Sequence, residues 1–172
     1  MLYVVTGPPA AGKSTWVREH AQPGDVVVDY DLIAAALSAP SSGTTHDHQG
    51  AVRATAFRAR SAAIREALSH AVDVDVYIIH ALPPADALAR YAEHRAHLIT
   101  VDPGQDVVMA RIAEQRPAAA RAVARRWYSQ ADRRQGQEKG RSGRQAGRSA
   151  AARQGRAPDA VHTPPPRASR SW

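Results

Sequence analysis

Cysteine is absent from the 172 residues, so the chain has no disulfide framework, no thiol nucleophile and no cysteine-ligated metal. Phenylalanine occurs once and aromatic residues make up 5% of the chain. They are too few and too dispersed to suggest a base-stacking platform. Nowhere do 18 apolar residues run together, which excludes a membrane-spanning helix. The first residues lead directly into an apolar segment, with no basic leader before it, so the expectation is a soluble, cytoplasmic protein. The length points to one domain able to bury a core. Lysine is nearly absent as well: all but two of the 23 basic residues are arginine, the exceptions being Lys13 and Lys139.

The position of Lys13 turns that scarcity into a signal. It stands in Gly7-Pro8-Pro9-Ala10-Ala11-Gly12-Lys13-Ser14, followed by Thr15, which fits G-x-x-x-x-G-K-[ST]. A compact ammonium on a thin stem can enter a phosphate cradle where a planar guanidinium fits poorly. The flanks agree. Leu2 to Thr6 is a short β-branched run, and Ser14 to His20 can continue as a helix, giving strand, loop and helix in the required order. Gly7 to Thr15 are therefore the candidate nucleotide-binding residues. Backbone N–H groups and the helix N-terminus would hold phosphate, and the Ser14 hydroxyl would ligate Mg²⁺.

Strands and helices then alternate. Asp25 to Asp29 reads as a second buried strand, Leu32 to Leu37 as a short helix and Pro40 to Thr45 as a loop. A long helix is expected from about Gln49 to Ala71. Val52, Ala56, Ala63, Ile64, Ala67, Leu68 and Ala71 form its apolar face, with Arg53, Arg58, Arg60 and Arg65 placed elsewhere. Val74 to His80 is a third strand, Pro83 to Glu93 a helix with proline in its first turn, and Ala96 to Val101 a fourth strand. Asp102-Pro103-Gly104-Gln105 has the form of a capping box with Asp102 as N-cap, opening a helix to about Gln115. A last helix follows Pro117 to about Ala131. The pattern predicts a three-layer α/β/α fold on a parallel sheet of about four to five strands, with a helical lid.

The net charge of +7 is unevenly placed. Acids and bases balance over residues 1–132, whereas in 133–172 only Glu138 and Asp159 oppose a series of arginines and Lys139. Residues 1–132 are read as the domain and 133–172 as a disordered basic tail rich in Arg, Gly, Ala and Pro. Such a tail either contacts nucleic acid weakly, with strong salt dependence, or only solubilises.

Over roughly residues 1–130 the chain resembles small P-loop kinases related to polynucleotide 5′-hydroxyl kinases and zeta toxins. It looks especially like short predicted kinases of actinobacterial phages and prophages. The resemblance is carried by Gly7 to Ser14, Val27-Val28-Asp29-Tyr30-Asp31-Leu32-Ile33, the Arg58 to Leu68 helix, Val101-Asp102-Pro103 with Met109-Ala110-Arg111, and Arg125-Arg126-Trp127-Tyr128. It implies ATP as donor, Mg²⁺ as cofactor, and Asp31 as the group that takes the acceptor hydroxyl proton. Asp29 is a metal ligand or the alternative base. Both carboxylates follow a strand at the edge where α/β sheets place ligands; as a residue, Asp31 also suits a plain helix N-cap.

The resemblance further implies lid arginines that neutralise charge on the transferring phosphoryl group. Arg116 is the first candidate, with Arg111, Arg121, Arg125 and Arg126 beside it. Arg53 and Arg60, with His46 and His48 in the Thr45-His46-Asp47-His48 segment, are candidates for the substrate side. Two departures stand out. His80 ends the third strand where many P-loop NTPases carry an acid, and Ala34 stands where polynucleotide kinases often carry an arginine. The acceptor implied is a nucleic-acid 5′-hydroxyl, DNA or RNA, or a nucleoside-type substrate. A nucleotide sugar or other small metabolite is the zeta-toxin-like alternative, and a nucleotide-binding ATPase docked on nucleic acid by its basic tail is another.

Overall fold

Two short apolar runs rich in Val and Ile make the centre of the sheet. β1 (Leu2–Thr6) and β3 (Val76–Ile79) lie side by side in parallel, with Val4 opposite Ile78 and Val5 opposite Ile79. Strands buried on both faces have no polar side to alternate with, so such runs are what a central parallel strand requires. β2 (Val26–Val28) pairs with β3, and β4 (His97–Thr100) with β1, giving the all-parallel order β2-β3-β1-β4. The computed structural model describes residues 1–39, 50–131 and Arg133. The Pro40 to Thr45 loop, the His46 and His48 segment and, apart from Arg133, the expected 133–172 tail lie outside the described residues.

Alternating strand positions feed two cores. Leu2, Val4, Val28, Val76 and Ile78 pack with Ile64, Ala67 and Leu68 of α3 (Gly50–His70) and with Tyr91 of α4 (Ala85–Glu93). On the opposite face Val5, Tyr77 and Ile79 pack with Val17 of α1 (Lys13–His20). A third cluster joins Ala11 of the loop after β1 to Val108 and Ile112 of α5 (Gln105–Gln115) and to Ala124 of a helix over 119–131. Helices thus cover both faces of the parallel sheet, the α/β arrangement the alternation predicts.

Four details differ from expectation. β2 and β4 are edge strands, with Val27 and Leu98 exposed, so the Asp25–Asp29 run is not buried on both faces. The short helix α2 (Tyr30–Ala36) starts earlier than expected, and its N-cap is Asp29, whose carboxylate accepts from the Asp31 N–H at 2.9 Å. Prolines 83 and 84 precede α4 instead of entering its first turn. The capping box does not form. Asp102 accepts from the Gly104 N–H and from the Tyr128 hydroxyl, and α5 opens at Gln105 after Gly104, which sits at φ 98°.

Candidate active site

The loop between β1 and α1 is shaped by close backbone approach. Gly7 has φ 140°, and a Cβ there would collide with the Val101 carbonyl oxygen at the end of β4. Gly12 precedes α1 in the left-handed region at φ 102°, a conformation glycine adopts at little cost. Ala10 adopts φ 58° without that freedom, a strain of about 1–2 kcal/mol. Lys13 reaches across the loop and donates from Nζ to the carbonyls of Gly7 (3.0 Å) and Pro8 (2.6 Å). Burial, and after it the nearby Arg116 guanidinium, lower its pKa to about 8.

The aspartates meet this loop from the end of β2. Asp29 uses both carboxylate oxygens: Oδ1 caps α2, and Oδ2 accepts from the Ser14 hydroxyl at 2.7 Å. Asp31, in the first turn of α2, accepts from Arg116 Nη1 at 2.9 Å. Arg116 closes α5 as its C-cap, so the pair ties the far end of the lid helix to the carboxyl edge of the sheet. Arg111, one turn earlier, donates to the Ala10 carbonyl at 3.3 Å.

One cleft of about 890 Å³ gathers most of the expected residues. Pro9 to Thr15, Asp29, Asp31, Arg60, Arg111 and Arg116 all line it. Gly7 and Pro8 act beneath it through their carbonyls. Arg53, Arg121, Arg125 and Arg126 are exposed and are not among the lining residues. Arg60 departs from its expected place on the polar side of the long helix. It falls four residues after buried Ala56 and four before buried Ile64, and that spacing alone puts it on the core stripe.

Among the lining residues outside the expected site set, Phe57 and His80 bear most on its chemistry. Phe57 lies on the cleft wall although it is 64% exposed; no periodicity distinguishes such a residue from a solvated one. His80, which follows β3, shares a hydrogen bond with the Tyr91 hydroxyl at 3.0 Å. Burial and the adjacent Arg60 lower its pKa to about 4, so it is neutral at neutral pH and adds no charge to the cleft.

Among the described residues no group of three or more His, Asp or Glu side chains could enclose a metal, and no helix is long and apolar enough to cross a membrane. The Ser14 hydroxyl and Asp29 carboxylate nevertheless suit Mg²⁺. This ion favours hard oxygen ligands, keeps several waters, and usually takes one or two protein ligands plus substrate phosphates.

No curated protein and no solved structure matches the chain. A family model described as AAA domain matches residues 2–136, spanning the phosphate loop, the whole parallel sheet and the lid helix. The chain belongs to this AAA-domain family of P-loop nucleotide-binding kinases and ATPases.

Proposed function

We propose that the protein is a Mg²⁺-dependent phosphotransferase that moves the γ-phosphoryl group of ATP to a hydroxyl acceptor. The best candidate acceptor is a nucleic-acid 5′-hydroxyl or a nucleoside-type substrate. The observation that carries this reading is the division of labour between the two aspartates. Both line the cleft; Asp29 is turned to the α2 cap and to Ser14, whereas Asp31 is turned to Arg116 at the end of α5. A hydroxyl attacking the γ-phosphorus needs a proton acceptor within reach, and Asp31 offers a carboxylate for it on the cleft wall.

Loop N–H groups and Lys13 would hold the donor phosphates, with Lys13 exchanging the Gly7 and Pro8 carbonyls for phosphate oxygens. Ser14 and Asp29 would hold Mg²⁺, which neutralises charge on the β- and γ-phosphate oxygens when bound. Asp31 accepts the hydroxyl proton as the acceptor oxygen attacks the γ-phosphorus. The bond from that phosphorus to the bridging oxygen breaks, and ADP leaves with the electron pair. Arg116 turns from Asp31 toward the phosphoryl oxygens, where charge spreads in the transition state.

Substrate profiling tests the reading. With Mg²⁺ and ATP, ADP release is measured against 5′-hydroxyl DNA, 5′-hydroxyl RNA, nucleosides, nucleotide sugars and no acceptor. Acceptor-dependent ADP release is expected. ADP release that is the same without acceptor, or that is stimulated equally by DNA whose 5′ end is already phosphorylated, would instead support the ATPase reading, in which the arginine-rich 133–172 segment docks on nucleic acid.

A further inference from the structure

Arg60 is a charge in a place built for an apolar side chain. Its neighbours along the buried stripe of α3 are Ala56, Ile64, Ala67 and Leu68, and it is itself 9% exposed. A guanidinium has five N–H donors; among the described residues the one hydrogen bond of Arg60 is from Nη2 to the Ile79 carbonyl at 2.8 Å. Its Nε is enclosed and has no partner, and it forms no salt bridge among the described residues. The Asp29 carboxylate acts on it from beyond salt-bridge distance, and a buried cation with so few direct partners is costly until an anion meets its remaining N–H groups. Arg60 lines the cleft that also holds Lys13 and Asp31. A guanidinium held by one bond can turn to meet an anion at that wall.

Phe57, one turn earlier on α3, lines the same cleft and leaves 64% of its surface exposed. It is the only phenylalanine in the chain. α3 packs on α2, the helix that carries Asp31, and on β3, so these two residues belong to the side of the cleft away from the phosphate loop. A ring face with a planar cation beside it matches a base joined to a phosphate: aromatic faces stack bases with little regard to sequence, and guanidinium groups bind phosphate in a bidentate fork. A second groove of about 830 Å³ also reaches Asp29 and Asp31, through Val17, Val27, Leu32 and Ala35, but no aromatic residue is among its lining.

We propose that Phe57 and Arg60 form the acceptor subsite, which takes a nucleotide unit with its base on the Phe57 ring and its phosphate on the Arg60 guanidinium. The free hydroxyl is thereby brought to Asp31. This rests on the phosphotransfer reading for what happens next, but not for the binding itself.

Binding is therefore measured directly, by calorimetry, on the full chain saturated with Mg²⁺ and a non-hydrolysable ATP analogue so that the donor site is filled. The probes are adenosine and adenosine 3′-monophosphate, each with a free 5′-hydroxyl. The 3′-monophosphate should bind about tenfold tighter or more. Arg60→Gln should erase that difference, and Arg60→Lys should restore part of it. Phe57→Ala, a change at an exposed position that leaves the fold intact, should weaken both probes about tenfold while the ATP analogue binds as before. Equal affinity of the wild type for the two probes, unchanged affinity in Phe57→Ala, or no binding of either probe would overturn the subsite. In a parallel label-transfer assay, binding as expected with no phosphoryl transfer to any acceptor would discard the kinase reading and leave the subsite standing.

Discussion

On the β1–α1 side of the cleft the groups that face a ligand are mostly backbone; on the α2, α3 and α5 side they are side chains. The first wall is fixed by a glycine under the Val101 carbonyl, a left-handed glycine at the start of α1 and a lysine folded over its own loop. The second is assembled from Asp31, Arg60 and Arg116, which come from three separate elements. A wall made of backbone is specified locally and resists substitution through the fold. A wall made of side chains is specified by tertiary packing, and its residues can be altered with the fold intact. Damage to the second should appear in rates, and damage to the first in stability.

Arg116→Ala gives the sharpest separation of the two. It should lower kcat about 10²- to 10³-fold, the usual cost of removing a group that stabilises transition-state charge. Its Tm should stay close to that of the wild type, because the Asp31–Arg116 pair is partly exposed and such pairs contribute little to stability. A large fall in Tm would make Arg116 a strut between α5 and the sheet. Gly7→Ala should show the reverse pattern. The added Cβ meets backbone at Val101, which cannot rotate away. A destabilisation of about 1–3 kcal/mol is expected in urea titration, and unchanged stability would mean that the loop shifts freely on β4.

Lys13 links the two readouts through pH. Its pKa is about 8 in the fold against 10.5 for an ordinary lysine, so between those values the unfolded chain binds more protons than the native one. Stability therefore rises as pH increases from 8 to 10.5, and below 8 the buried cation opposes folding by a full share. Lys13→Met should accordingly raise stability at pH 7 by about 1–3 kcal/mol while removing nucleotide binding. For the wild type, nucleotide affinity should fall by up to about tenfold per pH unit above 8 as the ammonium is lost. A pH-independent affinity from 7 to 10 would contradict the role given to Lys13.

The smallest effect belongs to His80. Its pKa is lowered from 6.5 to about 4 by burial and Arg60, so stability should drop as pH falls from 6.5 toward 4, by about 1 kcal/mol once screening of the partly exposed ring is discounted. His80→Gln should lose that acid sensitivity in denaturant titrations at the two pH values.

The same contrast explains what could be read in the chain. The phosphate loop was legible because its chemistry sits within eight consecutive residues, and the sheet because short apolar, β-branched runs alternate with helical segments. Edge position was not legible, since the Val26–Val28 run has the composition of a central strand and its place depends on what pairs beside it. The cap of α2 fell on Asp29 and not Asp31 because Asp29 is the residue still in extended backbone as β2 ends. Asp102 suited an N-cap by spacing, but Tyr128 and the Gly104 N–H take its carboxylate instead. Arg60 could have been recognised from its spacing between Ala56 and Ile64. Phe57 could not, because an exposed aromatic acquires meaning only from the cleft it borders.

The most direct test of the central claim is a comparison of wild type and Asp31→Asn in transfer from γ-phosphate-labelled ATP to a hydroxyl acceptor. Label in the acceptor, reduced about 10²- to 10⁴-fold in Asp31→Asn with ATP affinity retained, is the predicted result. Label released only as free phosphate, at the same rate in both proteins, would contradict it.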